Sequence, residues 1–154
     1  MLATLLLCTV VGIADGDTLR ARCATEAGPR TVSIRLAEID APERGQPFSR
    51  QSRQRLAALC FRQAAQVRPV GRDHYGRTVG HVACRGTDAG AEQVRAGVAW
   101  VFERYARTRS LRRLQAEARA ARRGLWSDAA PLPPWDWRKR QRSLRARQPR
   151  ARVD

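Results

Sequence analysis

Residues 5 to 23 read LLLCTVVGIADGDTLRARC and predict a β-hairpin, the element on which the rest of the fold is built. The run from Leu5 to Ala14 is almost entirely apolar, as expected of a buried strand. Asp15-Gly16-Asp17 is typical of a tight turn, and a second strand follows from Thr18 to Cys23. Folding the chain about this turn brings Cys8 roughly opposite Cys23, so we expect a disulfide between them.

The following elements indicate a small barrel. Residues 31–36 alternate apolar and polar side chains, which predicts a third strand with Arg35 on its polar face, close to Asp40. Further strands are predicted over residues 65–70 and 78–84, and helices over residues 49–60, 87–97 and 110–124. The sequence therefore predicts an α+β protein dominated by a five-stranded oligonucleotide-binding barrel with three helices packed on it.

The four cysteines bear on both the fold and the compartment. Cys60 ends the first predicted helix and Cys84 ends the fifth strand, which makes a second disulfide plausible. Four unpaired buried cysteines are the alternative, and zinc has little support because no C-x-x-C is present. An even number of cysteines in a small domain favours an oxidising compartment, so we expect a periplasmic or secreted protein.

The two ends of the chain differ from its middle. Residues 1–9 are either the remnant of a signal region or the start of the first strand. We expect one folded domain over residues 1–137, followed by a basic, disordered tail over residues 138–154. No stretch reaches the roughly 20 apolar residues of a membrane span.

The overall charge suggests a partner. The 154 residues carry a formal net charge of +16, and Lys139 is the only lysine. Such a charge favours a polyanion, nucleic acid above all, because cationic side chains displace the counterions of phosphates. Charge that serves only solubility is the other interpretation. We expect the protein to be a monomer.

Two acidic loops suggest a metal site. Asp17 and Asp40 lie in separate loops at strand ends, and two carboxylates with a backbone carbonyl and water suit a hard cation such as Ca²⁺. Asp15 fits better as a turn residue. Glu43 follows Asp40 by three residues and could hold a water for attack on phosphorus, although an exposed loop glutamate would look the same.

Two arginines have settings that suggest phosphate binding. Arg35 precedes the acidic loop, and Arg77 follows the turn that contains His74 and Tyr75. Guanidinium groups bind phosphate oxygens in a forked geometry and stabilise the charge of a transition state. Tyr75 could contact a phosphate or a base. His74 could equally be a simple turn residue.

Taken together, these motifs resemble the staphylococcal nuclease family from about Val10 to Trp137. The matching stretches are residues 11–18 (VGIADGDT), 35–43 (RLAEIDAPE), 73–77 (DHYGR), 92–99 (EQVRAGVA) and 124–127 (GLWS). Their order and spacing are more specific than any one of them.

The resemblance implies an oligonucleotide-binding barrel and Ca²⁺-dependent hydrolysis of DNA and RNA, single strands preferred, to 3′-phosphorylated products. By position, Asp17, Asp40 and the Ala41 carbonyl would bind the metal ion. Arg35, Glu43 and Arg77 would be catalytic, and Tyr75 and His74 would contact substrate. The chain departs from the family pattern at Ala41, where threonine is usual, and at His74, where the reference enzyme has lysine. The alternative is a module of the same fold that binds single-stranded nucleic acid without cutting it.

Overall fold

The predicted hairpin is present in the computed structural model, which describes residues 4–149. Strand β1 (Leu6–Ile13) pairs antiparallel with β2 (Thr18–Cys23), and Cys8 lies directly opposite Cys23. Leu19 is fully buried while its neighbour Arg20 is exposed, because successive side chains of a strand point to opposite faces. The hairpin thereby supplies one apolar wall of the core and one solvated face.

The other strands close this hairpin into a barrel. In chain order they are β3 (Arg30–Leu36), β4 (Ile39–Asp40), β5 (Ala64–Arg72), β6 (Thr78–Cys84), β7 (Thr87–Asp88) and β8 (Trp100–Val101). The sheet order is β3-β2-β1-β5-β6-β7, and a parallel pairing of β3 with β6 closes the five long strands on themselves. Strands β4 and β8 form a separate two-stranded sheet. The prediction of a five-stranded barrel is confirmed.

The barrel interior is filled by branched aliphatic side chains from every long strand. Val10, Ile34, Val67 and Val82 are each at most 1% exposed and belong to one continuous core. Helix α1 (Ser49–Cys60) adds Leu56, which is fully buried in the same core. Burial of these side chains supplies most of the driving force for folding.

Three more helices follow, one of which was not predicted. They are α2 (Ala89–Arg95), α3 (Arg109–Ala120) and α4 (Pro134–Arg147), with a 3₁₀ turn at Gly124–Ser127. The described part of the chain thus holds four α-helices where three were expected. Within residues 4–149, no helix combines the length and apolar character needed to cross a membrane.

The expectation of disorder from residue 138 is wrong as far as residue 147. Helix α4 begins with Pro134 in its first turn, where the missing N–H of proline costs nothing and its fixed φ suits a helix. Trp135 then stacks on Phe102, with the rings 5.4 Å apart and 5° from parallel, which fixes the start of α4 on the domain. The parts of the predicted tail and signal remnant at residues 150–154 and 1–3 lie outside the described residues.

Both predicted disulfides are confirmed. Cys8 pairs with Cys23 across the hairpin, and Cys60 at the end of α1 pairs with Cys84 at the end of β6. All four cysteines lie within residues 4–149 and are bridged, so no thiol is left to bind zinc. The second bridge joins a helix to the barrel across 24 residues, whereas the first closes 15 residues already held by strand pairing.

We predict that the Cys60–Cys84 bridge is the more stabilising of the two. The C60A/C84A double variant should lose about 3 kcal/mol of unfolding free energy, because the unfolded chain then regains the freedom of a long loop. Urea denaturation under oxidising conditions measures this loss, with C8A/C23A as the matched comparison. An equal or larger loss in C8A/C23A would contradict the prediction, as would free thiols in the denatured wild-type protein.

A second prediction concerns Gly16, in the turn of the hairpin. A Cβ there would overlap Ser52 Oγ and would lie 2.9 Å from the Ala41 Cβ. Ser52 is held in place because its hydroxyl donates to the Val98 carbonyl at 2.7 Å. Gly16→Ala should therefore cost about 1–3 kcal/mol of stability, the usual penalty for overpacking. Gly71→Ala is the control, since nothing lies within 4 Å of a Cβ there; similar unfolding free energies for both variants would refute the prediction.

Candidate active site

One cavity of about 1050 Å³ collects every site residue predicted from the sequence outside the disulfides. It opens at the end of the barrel where β3 ends and β6 begins. Its lining includes the predicted residues Asp17, Arg35, Asp40, Ala41, Glu43, His74, Tyr75 and Arg77. The fold therefore brings together side chains that are up to 60 residues apart in the sequence.

Two buried carboxylates lie at the base of this cavity. Asp17 precedes β2 and is 6% exposed, while Asp40 ends β4 and is 1% exposed. Arg35 bridges them, with its Nη2 lying 3.5 Å from Asp17 Oδ2 and 3.2 Å from Asp40 Oδ1. Its Nη1 donates to the Leu36 and Ile39 carbonyls, each at 2.7 Å. The arginine is thus anchored by the backbone and holds the carboxylates side by side.

Hydrogen bonds from the backbone and from a neighbouring hydroxyl fix the position of Asp17. Its Oδ2 accepts the Ala41 N–H at 2.7 Å, and its Oδ1 accepts the Thr18 hydroxyl at 2.9 Å. Asp15 shapes the turn before it, because Asp15 Oδ1 accepts the Asp17 N–H at 3.0 Å. Burial and the charge of Asp17 raise the pKa of Asp15 to about 7. Burial likewise raises the pKa of Asp40, even though Arg138 and Arg35 oppose that effect.

Glu43 stands at the rim, where its side chain is 40% exposed. The loop that carries it is closed by Gln46, whose Oε1 accepts the Glu43 N–H at 3.0 Å and whose N–H donates to the Glu43 carbonyl at 2.9 Å. Gln46 Nε2 also donates to the Leu132 carbonyl at 2.6 Å. The glutamate therefore faces both the cavity and solvent from a loop of defined shape.

Arg77 comes just before β6 and is held by Asp73. Its Nε donates to Asp73 Oδ2 at 2.6 Å, and its Nη1 donates to the Thr18 hydroxyl at 3.3 Å. Although burial works against it, the bonds from Arg77 lower the pKa of Asp73. Thr18 also donates to Asp17, so one hydroxyl links Arg77 to the carboxylate pair. Asp73 thus orients the guanidinium towards the cavity.

The two remaining predicted residues form an exposed edge. Tyr75 is 74% exposed, and its ring lies 5.4 Å from the Arg77 guanidinium carbon. The His74 and Tyr75 rings lie 3.9 Å apart at 39°. Both residues lie in the turn over residues 73–76, in which the Tyr75 N–H donates to Asp73 Oδ1 at 3.0 Å. Their position at the mouth of the cavity suits contact with an extended ligand.

The donor set at the base fits a hard divalent cation. Asp17 and Asp40 offer carboxylate oxygens, and Ala41 follows Asp40 directly in a loop whose backbone carbonyl could complete the set. Within residues 4–149 no cluster of three or more His, Cys, Asp or Glu side chains is arranged as a metal site. A cation here would thus need backbone and water ligands, which Ca²⁺ accepts readily.

Sequence reasoning missed two residues of the site. Arg138, from α4, reaches Asp40 and Glu43 at 2.7 Å each. Buried Gln93, in α2, donates to the Gly16 carbonyl at 2.7 Å and ties the Asp15–Asp17 turn to the helices. Three features of residues 134–147 are typical of a helix: a proline in the first turn, the acidic Asp136 in the same turn and arginines in the last turn. No sequence signal pointed Arg138 into the cavity.

Comparison with known proteins identifies the family of the chain. The model of the staphylococcal nuclease homologue family matches residues 33–128. An uncharacterized endonuclease of Escherichia coli O157:H7 is 44% identical over 133 residues, which cover 86% of this chain and 84% of the relative. A micrococcal nuclease of Shigella flexneri is 40% identical over 141 residues, covering 84% and 79%. An uncharacterized endonuclease of Haemophilus influenzae is 36% identical, covering 88% and 74%.

The matched region extends from β3, which carries Arg35, to the 3₁₀ turn, and it includes Asp40, Glu43 and Arg77. The relatives share more than a third of their residues with this chain along most of their length. Fold, cavity and similarity agree, and the chain belongs to the staphylococcal nuclease homologue family.

Proposed function

We propose that this nuclease requires Ca²⁺ and hydrolyses phosphodiester bonds of DNA and RNA without regard to the sugar, leaving 3′-phosphorylated products. The observation that carries the proposal is the pair of buried carboxylates, Asp17 and Asp40, bridged by Arg35 and flanked by Glu43 and Arg77 in one open cavity. A protein that only binds nucleic acid has no need of paired carboxylates beside the path of the phosphates. Such a pair would repel the phosphates unless a cation lay between them.

The cation would be held by Asp17, Asp40 and the Ala41 carbonyl, and when bound it would polarise a phosphate oxygen and neutralise charge. Calcium is favoured because all the available donors are oxygens. The difference in exposure between the two aspartates and Glu43 supports these roles. Asp17 and Asp40 are almost inaccessible to bulk water, whereas Glu43 is partly exposed and so able to contact a water molecule.

In this proposal Glu43 is the general base that activates the water. A carboxylate oxygen of Glu43 accepts a hydrogen bond from the water and takes its proton as the oxygen attacks phosphorus. The bond from phosphorus to the 5′ oxygen breaks as the new bond forms, the 5′ oxygen takes a proton from solvent water and leaves as a hydroxyl, and the phosphate stays on the 3′ side. Gln46 holds the loop of Glu43 and so limits where the carboxylate can reach.

Arg35 and Arg77 stabilise the charge that develops on the phosphate. Arg35 already donates to two carbonyls and lies near two carboxylates. Its side chain therefore loses little further conformational entropy when it binds a phosphate. Arg77 is oriented by Asp73 and is 29% exposed, which leaves part of its guanidinium free to meet substrate. Two fixed guanidinium groups in one cavity suit a phosphate that gains negative charge as water adds.

Recognition of substrate follows from the rest of the cavity. Six arginines line it, namely Arg35, Arg72, Arg77, Arg107, Arg138 and Arg142. Arginine contacts with phosphates carry no base sequence information, which supports a sequence-blind enzyme. Exposed Tyr75 offers a surface on which a base can stack, and unpaired bases are free to do so. Single-stranded nucleic acid is therefore the favoured substrate.

The compartment is inferred from the disulfides. Two bridges in a domain of this size suit an oxidising environment, which supports a periplasmic or secreted enzyme.

We predict that degradation of single-stranded DNA requires Ca²⁺, Glu43 and Arg77. Purified wild-type protein should cleave in millimolar Ca²⁺ and lose activity with a chelator. Glu43→Gln and Arg77→Ala should each lower kcat by about a hundredfold or more, because each removes one interaction of the transition state. Gel-based cleavage of a labelled oligonucleotide, with analysis of the product ends, measures these effects.

Arg113→Ala is the matched control for loss of positive charge. Arg113 lies in α3 with its side chain 83% exposed and pairs with Glu117 in the same helix. Its kcat should stay within about twofold of wild type. Tight binding of the oligonucleotide without cleavage, with or without Ca²⁺, would overturn the nuclease assignment in favour of a binding module.

A further inference from the structure

A third guanidinium group enters the carboxylate cluster from the C-terminal helix. Arg138 forms a forked pair with Asp40, in which Nη2 lies 2.7 Å from Oδ2 and Nη1 lies 3.2 Å from Oδ1. The same Nη1 donates to Glu43 Oε1 at 2.7 Å. Arg138 thus contacts both a proposed cation ligand and the proposed base. These contacts join residues 95 and 98 positions apart in the sequence.

This contact is built into the fold, since the start of α4 is fixed on the domain. Trp135 stacks on Phe102 and meets Trp100 edge-on at 5.7 Å, and Pro134 is buried. Gln46 joins the Glu43 loop to the segment before α4 through its bond to the Leu132 carbonyl. A side chain one turn from such an anchor loses little conformational freedom when it pairs.

The forked pair uses the oxygens that a cation would need. Both Asp40 oxygens accept from Arg138, and Oδ1 also accepts from Arg35. A divalent cation on Asp40 would lie next to the positive charge of Arg138, and like charges at such short range repel strongly where water is scarce. Asp40 is 1% exposed, so little solvent can screen them. The guanidinium and the cation therefore cannot both hold Asp40 at full strength.

We propose that Arg138 sets the cation affinity of the site by competing with the divalent ion for Asp40. The inference rests on the proposed function, because it takes Asp40 as a cation ligand. Without the cation, Arg138 balances the charge of Asp40 and holds Glu43. When the cation binds, Arg138 releases Asp40, its hold on Glu43 loosens, and the glutamate becomes free to accept a water. Cation binding and release of the base are thus coupled through one side chain.

The test is calorimetric titration with Ca²⁺ of wild type, Arg138→Gln and the control Arg142→Gln. Arg142 lies one turn further along α4 and lines the same cavity, so it matches the loss of charge. Arg138→Gln should bind Ca²⁺ about tenfold more tightly, because a charged hydrogen-bonded competitor is gone. Arg142→Gln should stay within about twofold of wild type. Equal affinities in all three proteins, or weaker binding in Arg138→Gln, would overturn the inference.

A second measurement needs no variant. In the wild-type protein, saturating Ca²⁺ should speed hydrogen exchange of amides in the first two turns of α4, since Arg138 no longer holds the helix to Asp40. Unchanged or slower exchange there would contradict the competition. Failure of the inference is distinguishable from failure of the function: equal affinities leave a Ca²⁺-dependent nuclease intact. Activity that persists in chelator, with no Ca²⁺ bound to any of the proteins, would overturn both.

Discussion

The bridge from Arg35 to Asp17 and Asp40 is the interaction on which the site depends. Two carboxylates at most 6% exposed repel each other and lose hydration, so they need a partner in the folded protein. Arg35 supplies that partner from 3.5 and 3.2 Å, and the Leu36 and Ile39 carbonyls keep its guanidinium in place. The pair is therefore preorganised at some cost in stability, as is usual where a fold holds charge for function.

Barrel closure brings Arg35 and Arg77 to the same end of the barrel. The parallel pairing of β3 with β6 sets Ile34 opposite Thr78 and Arg35 opposite Val79. Arg77, which comes just before β6, is thus carried to the end of the barrel where Arg35 and Asp40 lie. Thr18 bonds to both Asp17 and Arg77, which links the hairpin turn to this edge. The topology of the barrel, rather than proximity in sequence, assembles the site.

Much of this could be predicted from sequence, for reasons that are local. The alternation of apolar and polar residues in β3 predicted the face that carries Arg35. The position of the hairpin turn predicted the pairing of Cys8 with Cys23. The fourth helix was not predicted although Pro134 and Asp136 at its start are helix signals, and nothing in the sequence indicated that Arg138 reaches the cavity. A basic, low-complexity segment resembles a disordered tail unless the aromatic stack of Trp135 on Phe102 is known, and that contact depends on tertiary structure alone. The strands β4, β7 and β8 were missed because two residues carry no periodic pattern.

The most direct test of the site is a crystal structure with Ca²⁺ and a dinucleotide whose phosphate resists hydrolysis. We expect one Ca²⁺ bound to Asp17, Asp40 and the Ala41 carbonyl, with oxygen ligands at about 2.3–2.6 Å. The phosphate should lie between Arg35 and Arg77, with Glu43 facing the side of phosphorus opposite the 5′ oxygen. A cation bound elsewhere, or a phosphate that contacts neither arginine, would contradict the assignment of this cavity as the catalytic centre.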